Sequence, residues 1–403
     1  MPAKAGAAPA PLPGVDVAAT SRIDSVRLLR VAAGLLLLLT GLVVRGAVLP
    51  EDRADLLYHS YSGGGADING PSLLVRKKFA EDVSVTANYY VDNVSSASID
   101  VITTASPYEE QRTEYSLGLD YLRDRTILSI GYTNSVENDY IANTYSLGIS
   151  QDMFGDLTTV SLGFIYGDNT VGRNGDSNFE EPTKLRDYRL SVSQILTQDL
   201  IVALTLETIT DEGFLNNPYR SVRYLDPSSP RGYSYQAEVY PRTRTTNSVA
   251  LRGRYYLPGR SALSAGYRYF SGSWGIQADT WELGYTLPWD EDWIFEFSYR
   301  FYDQGPAEFY SDLFPYRDAQ NFLARDKEMS SFTTKTLGAG VTWYFEENGT
   351  GFIKRGTLNM NIDRIAFDYR DFRDLSVTGV APGEEPLYAF NSTVLRLWLS
   401  IWF

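Results

Sequence analysis

The chain has 403 residues, no cysteine, a single histidine, 29 tyrosines and a formal net charge of −14. The absence of cysteine excludes disulfides, thiolate catalysis and Cys-type zinc or iron–sulfur sites. The acidic balance makes nucleic acid a poor partner, and no nucleic-acid role is expected. Mean hydropathy is −0.23, and the chain has one long apolar run, whereas a helical membrane protein needs several of about 20 residues.

Residues 1–47 read as an N-terminal extension and signal peptide. Arg22, Arg27 and Arg30 precede the apolar run Val31–Val44, and small residues follow at Gly46 and Ala47. A charged region, a short apolar region and a small-residue end predict export, with cleavage near Ala47. Residues 48–403 then read as one domain.

From Ala54 onward the dominant signal is period-two alternation. Ala54–Tyr61 and Ser72–Phe79 open the series. In Asp82–Asp92 one face is Val83, Val85, Ala87, Tyr89 and Val91, and the other Ser84, Thr86, Asn88 and Tyr90. Further alternating stretches lie near 113–123, 126–134, 143–151, 157–167, 186–196, 199–209, 247–257, 261–271 and 279–287. Trp293, Phe295, Phe297, Tyr299 and Phe301 then share one face against Glu296, Ser298, Arg300 and Tyr302. Stretches near 334–345 and 353–367 follow, the last with a bulge expected, and Leu395–Phe403 ends the series.

Connections alternate between short ones, as at 123–126 and 152–156, and long ones, as at 168–185, 210–246 and 303–332. Short periplasmic turns and long extracellular loops give that rhythm, and aromatic residues close the apolar faces as interfacial girdles do. The fold expected is all-β: a transmembrane antiparallel up-and-down β-barrel of about 16 strands, within roughly 14–18. Parity requires an upward first strand at Ala54–Tyr61, turned back by Gly63–Gly65. Outer-membrane lipid of a Gram-negative bacterium is the expected surroundings. The terminal aromatic Phe403, after LRLWLSIW, is the kind of signal through which the barrel assembly machinery would act.

Alternation places Arg76, Lys78, Glu114, Asp120, Arg189, Glu207, Arg252, Arg254, Arg268, Glu282, Glu296, Arg300 and Arg396 on the inward face. Such residues either line a selective pore or form an internal ion-pair network that packs the barrel. Arg220, Arg223, Arg242 and Arg244 mark the 210–246 loop, and Asp312, Arg317, Asp318, Arg325, Asp326 and Lys327 the 303–332 loop. Both loops are too long for plain hairpins. They either enter the lumen, form a surface site, or stay solvated. His59 lacks a recognisable nucleophile, since Ser60 points to the opposite face of a strand, so no catalytic set and no enzyme activity is expected. Asp168, Asp176, Glu180 and Glu181 offer hard oxygen donors, but their spacing does not fit an EF-hand; neither a metal nor a cofactor is expected.

The segments EDRADLLYHSYSGGG (Glu51–Gly65), ASIDVITTASPYEEQRTEYSLGLDY (Ala97–Tyr121), DEGFLNNPYRSVRYL (Asp211–Leu225), FYSDLFP (Phe309–Pro315), ARDKE (Ala324–Glu328) and GEEPLY (Gly383–Tyr388) resemble an uncharacterised family of Gram-negative outer-membrane barrels, a domain of unknown function. The resemblance implies an outer-membrane barrel without established activity. Family members are often encoded beside a flavin transferase, a thioredoxin-like protein and a small lipoprotein. That implies an envelope lipoprotein as partner and a place beside an envelope redox system. Two functions therefore stand: a porin-like solute channel or transporter with a charged lumen, and a sealed structural or partner-binding barrel in an envelope complex.

Overall fold

The computed structural model describes residues 47–96, 108–345 and 351–403. The export segment, apart from Ala47, and much of the Ala97–Tyr121 motif lie outside them. The strands are β1 (Arg53–Gly63), β2 (Ala66–Phe79), β3 (Val83–Ser96), β4 (Tyr108–Arg123), β5 (Thr126–Val136), β6 (Tyr140–Met153), β7 (Thr158–Gly172), β8 (Glu180–Ile195) and β9 (Leu200–Gly213). After them come β10 (Ser221–Leu225), β11 (Tyr233–Ala237), β12 (Thr243–Tyr256), β13 (Ala262–Gly272), β14 (Gln277–Trp289), β15 (Trp293–Gln304), β16 (Phe332–Phe345), β17 (Arg355–Arg373) and β18 (Leu387–Trp402). Sixteen of these form one closed antiparallel barrel, while β10 and β11 pair separately. Each barrel strand pairs with its neighbours in sequence, β9 pairing with β12 across the β10–β11 hairpin. The ring closes where β1 meets β18, from Arg53↔Trp402 to Gly63↔Ser392.

Alternation sets the two faces. Outward rows carry Leu117, Ile130, Leu147, Leu283, Phe297 and Leu337, all exposed, with Leu337 at 64%. A continuous apolar belt of this extent is untenable in water and is what a hydrocarbon layer requires. Aromatic pairs edge the belt. Trp293 stacks on Trp343 at 6.1 Å at the short-turn end, and outward Tyr132 meets Tyr145 at 5.3 Å toward the other.

The turns at one end are tight. Arg123 pairs with Thr126 across a two-residue turn in which Asp124 takes a left-handed φ of 55°. That twist matches the twist of the flanking strands. Both ends of the barrel chain, Arg53 and Trp402, lie at this same end. At the opposite end are the 137–139 turn and the connections 214–242, 305–331 and 374–386. The bulge expected within 353–367 lies later: pairing of β17 with β18 is regular from Arg355 to Asp368 and shifts between Asp368 and Arg373. The strand there runs on past the membrane belt to meet the loops.

Facing can be tested on one pair of neighbours. Phe297 is 52% exposed on the outer face, and Ser298 opposes Gly284 and Gly338 on the inner one. Phe297→Arg is expected to destabilise the barrel by about 2–4 kcal/mol, the cost of arginine in mid-membrane on a lipid face. Ser298→Arg should cost much less. Urea unfolding of the barrel in lipid vesicles measures both, and equal losses would refute the assignment of faces.

Candidate functional site

The inner wall carries a band of opposite charges set by strand register. On β8 and β9, Arg189 sits opposite Glu207, with its guanidinium 2.5 Å from the carboxylate. Arg268 of β13 reaches the same Glu207 at 3.3 Å. Glu282 of β14 takes Arg252 at 3.4 Å and Arg300 at 3.7 Å. On the other wall Arg396 pairs with Asp363 at 2.5 Å, Arg112 with Glu114 at 2.7 Å, and Ser129 donates to Asp120 at 2.6 Å. Arg76 donates to Thr86 at 3.1 Å. Glu296 borders Gly340 on the adjoining strand, and Arg254 lies two residues from Arg252 along β12. Lys78 pairs across β2–β3 with Ser84. All the acidic and basic residues singled out by alternation thus lie on the face opposite the apolar belt. Arg112, Asp92 and Asp363 join them. The same parity would have found these three, but Asp92 and Arg112 fall at the edge of the stretches that alternate cleanly in the sequence, although the strands run four residues further.

His59 belongs to this wall. Its Nε2 shares a 2.6 Å hydrogen bond with Asp92, Tyr90 donates to the same carboxylate at 2.9 Å, and the His59 and Tyr90 rings stack at 4.9 Å. The residue between them in register is Gly70 of β2. A Cβ there would fall 1.8 Å from the Val91 carbonyl oxygen, so only glycine permits this close approach of β2 to β3. The pairing skips from Asn69↔Asn93 to Ser72↔Tyr90 at that point.

The long loops are not separate, although parts of each stay exposed. Loops 214–242, 305–331 and 374–386 pack on one another into a cap at the end of the barrel opposite the tight turns. Arg223 of β10 is fully buried and is bound from both other loops. It pairs with Glu385, 2.5 Å from Nη1 to the carboxylate, and with Asp312, and its Nε donates to the Asp312 carbonyl at 2.9 Å. Arg325 reaches Asp312 at 2.9 Å and lies over the ring of fully buried Phe372, 4.5 Å from its centroid. Arg220 pairs with Asp326. Buried Glu238 accepts from the Arg325 backbone N–H at 2.7 Å and from the Tyr240 hydroxyl at 2.7 Å. Burial first, and then the nearby Asp326, push the Glu238 carboxyl up to about 7. Burial alone would lower the Arg223 pKa, but Glu385 and Asp312 outweigh it and hold the guanidinium charged. Apolar packing completes the cap: Tyr240, Trp274, Ala307, Phe309 and Ala324 form one cluster, and Val222, Phe314 and Leu323 another. Short backbone bridges, Tyr224↔Phe314 and Val239↔Leu323, stitch the loops as a sheet would. Arg317 and Asp318 stay on the surface, their side chains more than two-thirds exposed, while Arg242 turns away to Glu181 and Arg244 to Asp211.

The acidic stretch 168–181 does not converge. Asp168 lies within β7 and Glu180 and Glu181 within β8, and Asp176 pairs with Arg173. Among the described residues the carboxylates that do come together are Glu110, Glu137 and Asp139, at the loop end of β4–β6.

A closed sixteen-stranded barrel with an apolar outer belt, a charged inner wall and long packed loops at one end defines the class of outer-membrane β-barrels. The chain belongs to the family described as protein of unknown function, DUF3570, whose profile matches residues 99–189 and 180–354. Comparison with curated proteins finds no match. Among solved structures, the chain is similar to a bacterial polysaccharide outer membrane secretin, at 9% identity and a TM-score of 0.46, covering 88% of this chain and 100% of that one. It is also similar to the CymD monoaromatic hydrocarbon channel, at 9% identity and a TM-score of 0.39, covering 88% of this chain and 89% of that one. A third is a loop-deletion mutant of OmpT, an outer membrane protein of Vibrio cholerae, at 8% identity and a TM-score of 0.39, covering 87% and 98%.

Arg223 joins three loops through one side chain, beside the apolar clusters and backbone bridges that also hold them. Arg223→Met leaves buried Glu385 without its ion-pair partner and Asp312 with Arg325 alone, and breaking a buried pair in this way costs roughly 3–5 kcal/mol. The barrel itself should stay folded and heat-modifiable. Amide exchange should rise across 214–242, 305–331 and 374–386 together. If exchange in these three loops stays at wild-type level, Arg223 does not tie the cap.

Proposed function

We propose that this protein is a porin-like solute channel of the outer membrane, in which a water-containing, charged lumen leads to an outer mouth narrowed by a fixed loop cap. The supporting observation is the exposure of the inward ion pairs. The side chains of Arg189 and Arg252 keep 39% and 33% of their surface open, and Arg396 keeps 26%, although all three lie inside a closed ring. Charged side chains packed into a sealed interior would lose that access. A barrel of this strand number leaves room for an aqueous passage unless loops fill it.

The charges would act on the solute through their arrangement. The β8–β15 wall presents Arg189, Arg252, Arg254, Arg268 and Arg300 against Asp187, Glu207, Glu282 and Glu296, and so carries more arginines than carboxylates. The β3–β5 wall presents Asp92, Glu114 and Asp120 with Arg112. A passage between an arginine-rich wall and an acidic one orients dipolar solutes and selects by field as well as size. The cap favours a second reading, a scaffold whose outer face receives a partner such as an envelope lipoprotein, because three loops held by buried ion pairs form a rigid surface.

Planar-bilayer recording separates the two. Steady single-channel openings are expected from the wild-type barrel. Glu207→Gln combined with Glu282→Gln leaves Arg189, Arg268, Arg252 and Arg300 without those carboxylates, and should shift the reversal potential toward anion selectivity in a salt gradient. Silence from inserted, folded barrels would remove the channel reading and leave the scaffold.

A further inference from the structure

Glu110 stands near the loop end of β4, and Glu137 and Asp139 form the turn between β5 and β6. One carboxylate oxygen from each lies within 4.8 Å of the others. Glu110 and Asp139 are only 8% and 6% exposed. Like charges this close and this shielded repel strongly, because burial removes the water that would screen them. Among the described residues Arg112 pairs with Glu137 at 3.8 Å, and it is already engaged by Glu114 at 2.7 Å. Asp92 adds a further buried carboxylate beside Arg112 in register. Among the described residues these acids therefore outnumber the arginines paired with them.

A second observation concerns the bonds these oxygens make. Asp139 accepts from the Tyr219 hydroxyl at 2.5 Å through Oδ2, and Glu110 accepts from the Asn138 backbone N–H at 3.0 Å through Oε1. Oδ1 of Asp139 is shut off from solvent and, among the described residues, has no hydrogen-bond partner. A buried carboxylate oxygen with no donor forfeits its solvation with nothing in return. Three acids brought together, one of them a buried residue with such an oxygen, form a ligand set for a hard cation.

We propose that Glu110, Glu137 and Asp139 bind a calcium-sized divalent cation. Calcium takes oxygen ligands at about 2.4 Å, so two oxygens on one ion stand at most roughly 4.8 Å apart, and a single ion can touch all three carboxylates. Flexible coordination numbers of about 6–8 leave places for water or a backbone carbonyl beside them. Tyr219 gives the site a structural consequence. It belongs to loop 214–242, the loop that carries Arg223, and it also accepts the Asn174 backbone N–H at 2.5 Å. A cation fixing Asp139 would anchor the cap to the β4–β6 side of the mouth, away from the Arg223 centre. Binding does not depend on whether the lumen conducts.

The probe is terbium, a calcium-sized ion whose emission is excited through a nearby tyrosine, here Tyr219. Chelator-treated, folded barrel in a non-ionic detergent should show saturable terbium emission that calcium displaces. Glu137→Gln and Asp139→Asn should each weaken binding at least about tenfold, the scale on which even outer-shell groups of metal sites act. Asp176→Asn, in the exposed loop beside Arg173, should leave binding unchanged. Saturable emission and its displacement by calcium are read on the wild-type chain, so they decide the matter even where a variant fails to fold. No saturable emission from the wild type, no displacement by calcium, or equal binding by folded Asp139→Asn would each overturn the site.

Discussion

Everything in this molecule depends on the pairing of β1 with β18. In hydrocarbon an unpaired backbone N–H or C=O has no water to turn to, and each costs several kcal/mol. A sheet of sixteen strands left open would present two such edges to lipid. The run of pairs from Arg53↔Trp402 to Gly63↔Ser392 removes both at once. Closure also creates an inside. Once the ring exists, every second residue is committed to an enclosed space, and that is why charged residues can be carried by membrane-crossing strands.

The loop end obeys a different physics. Its segments lie outside the lipid belt and have no ladder to satisfy them, so they need a core of their own. They obtain it from two apolar clusters and from ion pairs buried among them. Burying charge costs heavily, and such pairs are weak sources of stability compared with apolar packing. What they supply is a unique arrangement: the planar guanidinium of Arg223 accepts partners only in its own plane and from set directions. Loops 305–331 and 374–386 are thereby fixed relative to the β10–β11 hairpin. A strictly apolar cap would leave more freedom for sliding.

The two ends of the cap differ in kind. Around Arg223 the opposite charges meet directly. Around Asp139 like charges meet, and the balance is left open among the described residues. Tyr219 and Arg223 are four positions apart in one loop, so the two centres are mechanically linked. Both centres thus bear on the position of loop 214–242, each through its own side chains.

Much of the barrel was legible in the residues themselves, because a strand has an exact period of two. Alternation alone separates Phe297 from Ser298 and places Arg189, Glu207 and Glu282 on the inner face, and the rhythm of short and long connections sets the strand count. The motifs DEGFLNNPYRSVRYL, FYSDLFP, ARDKE and GEEPLY were visible as unusual loop segments, yet nothing in them said that they meet. Arg223 and Asp312 lie 89 positions apart, Arg223 and Glu385 162, and Tyr219 and Asp139 80. Loops have no periodicity from which a partner can be read. Which charges become pairs and which become a cluster of like sign is decided only when ring closure brings distant connections to one end. Alternation tells a side chain which way to face, and only the closed barrel tells it what it will face.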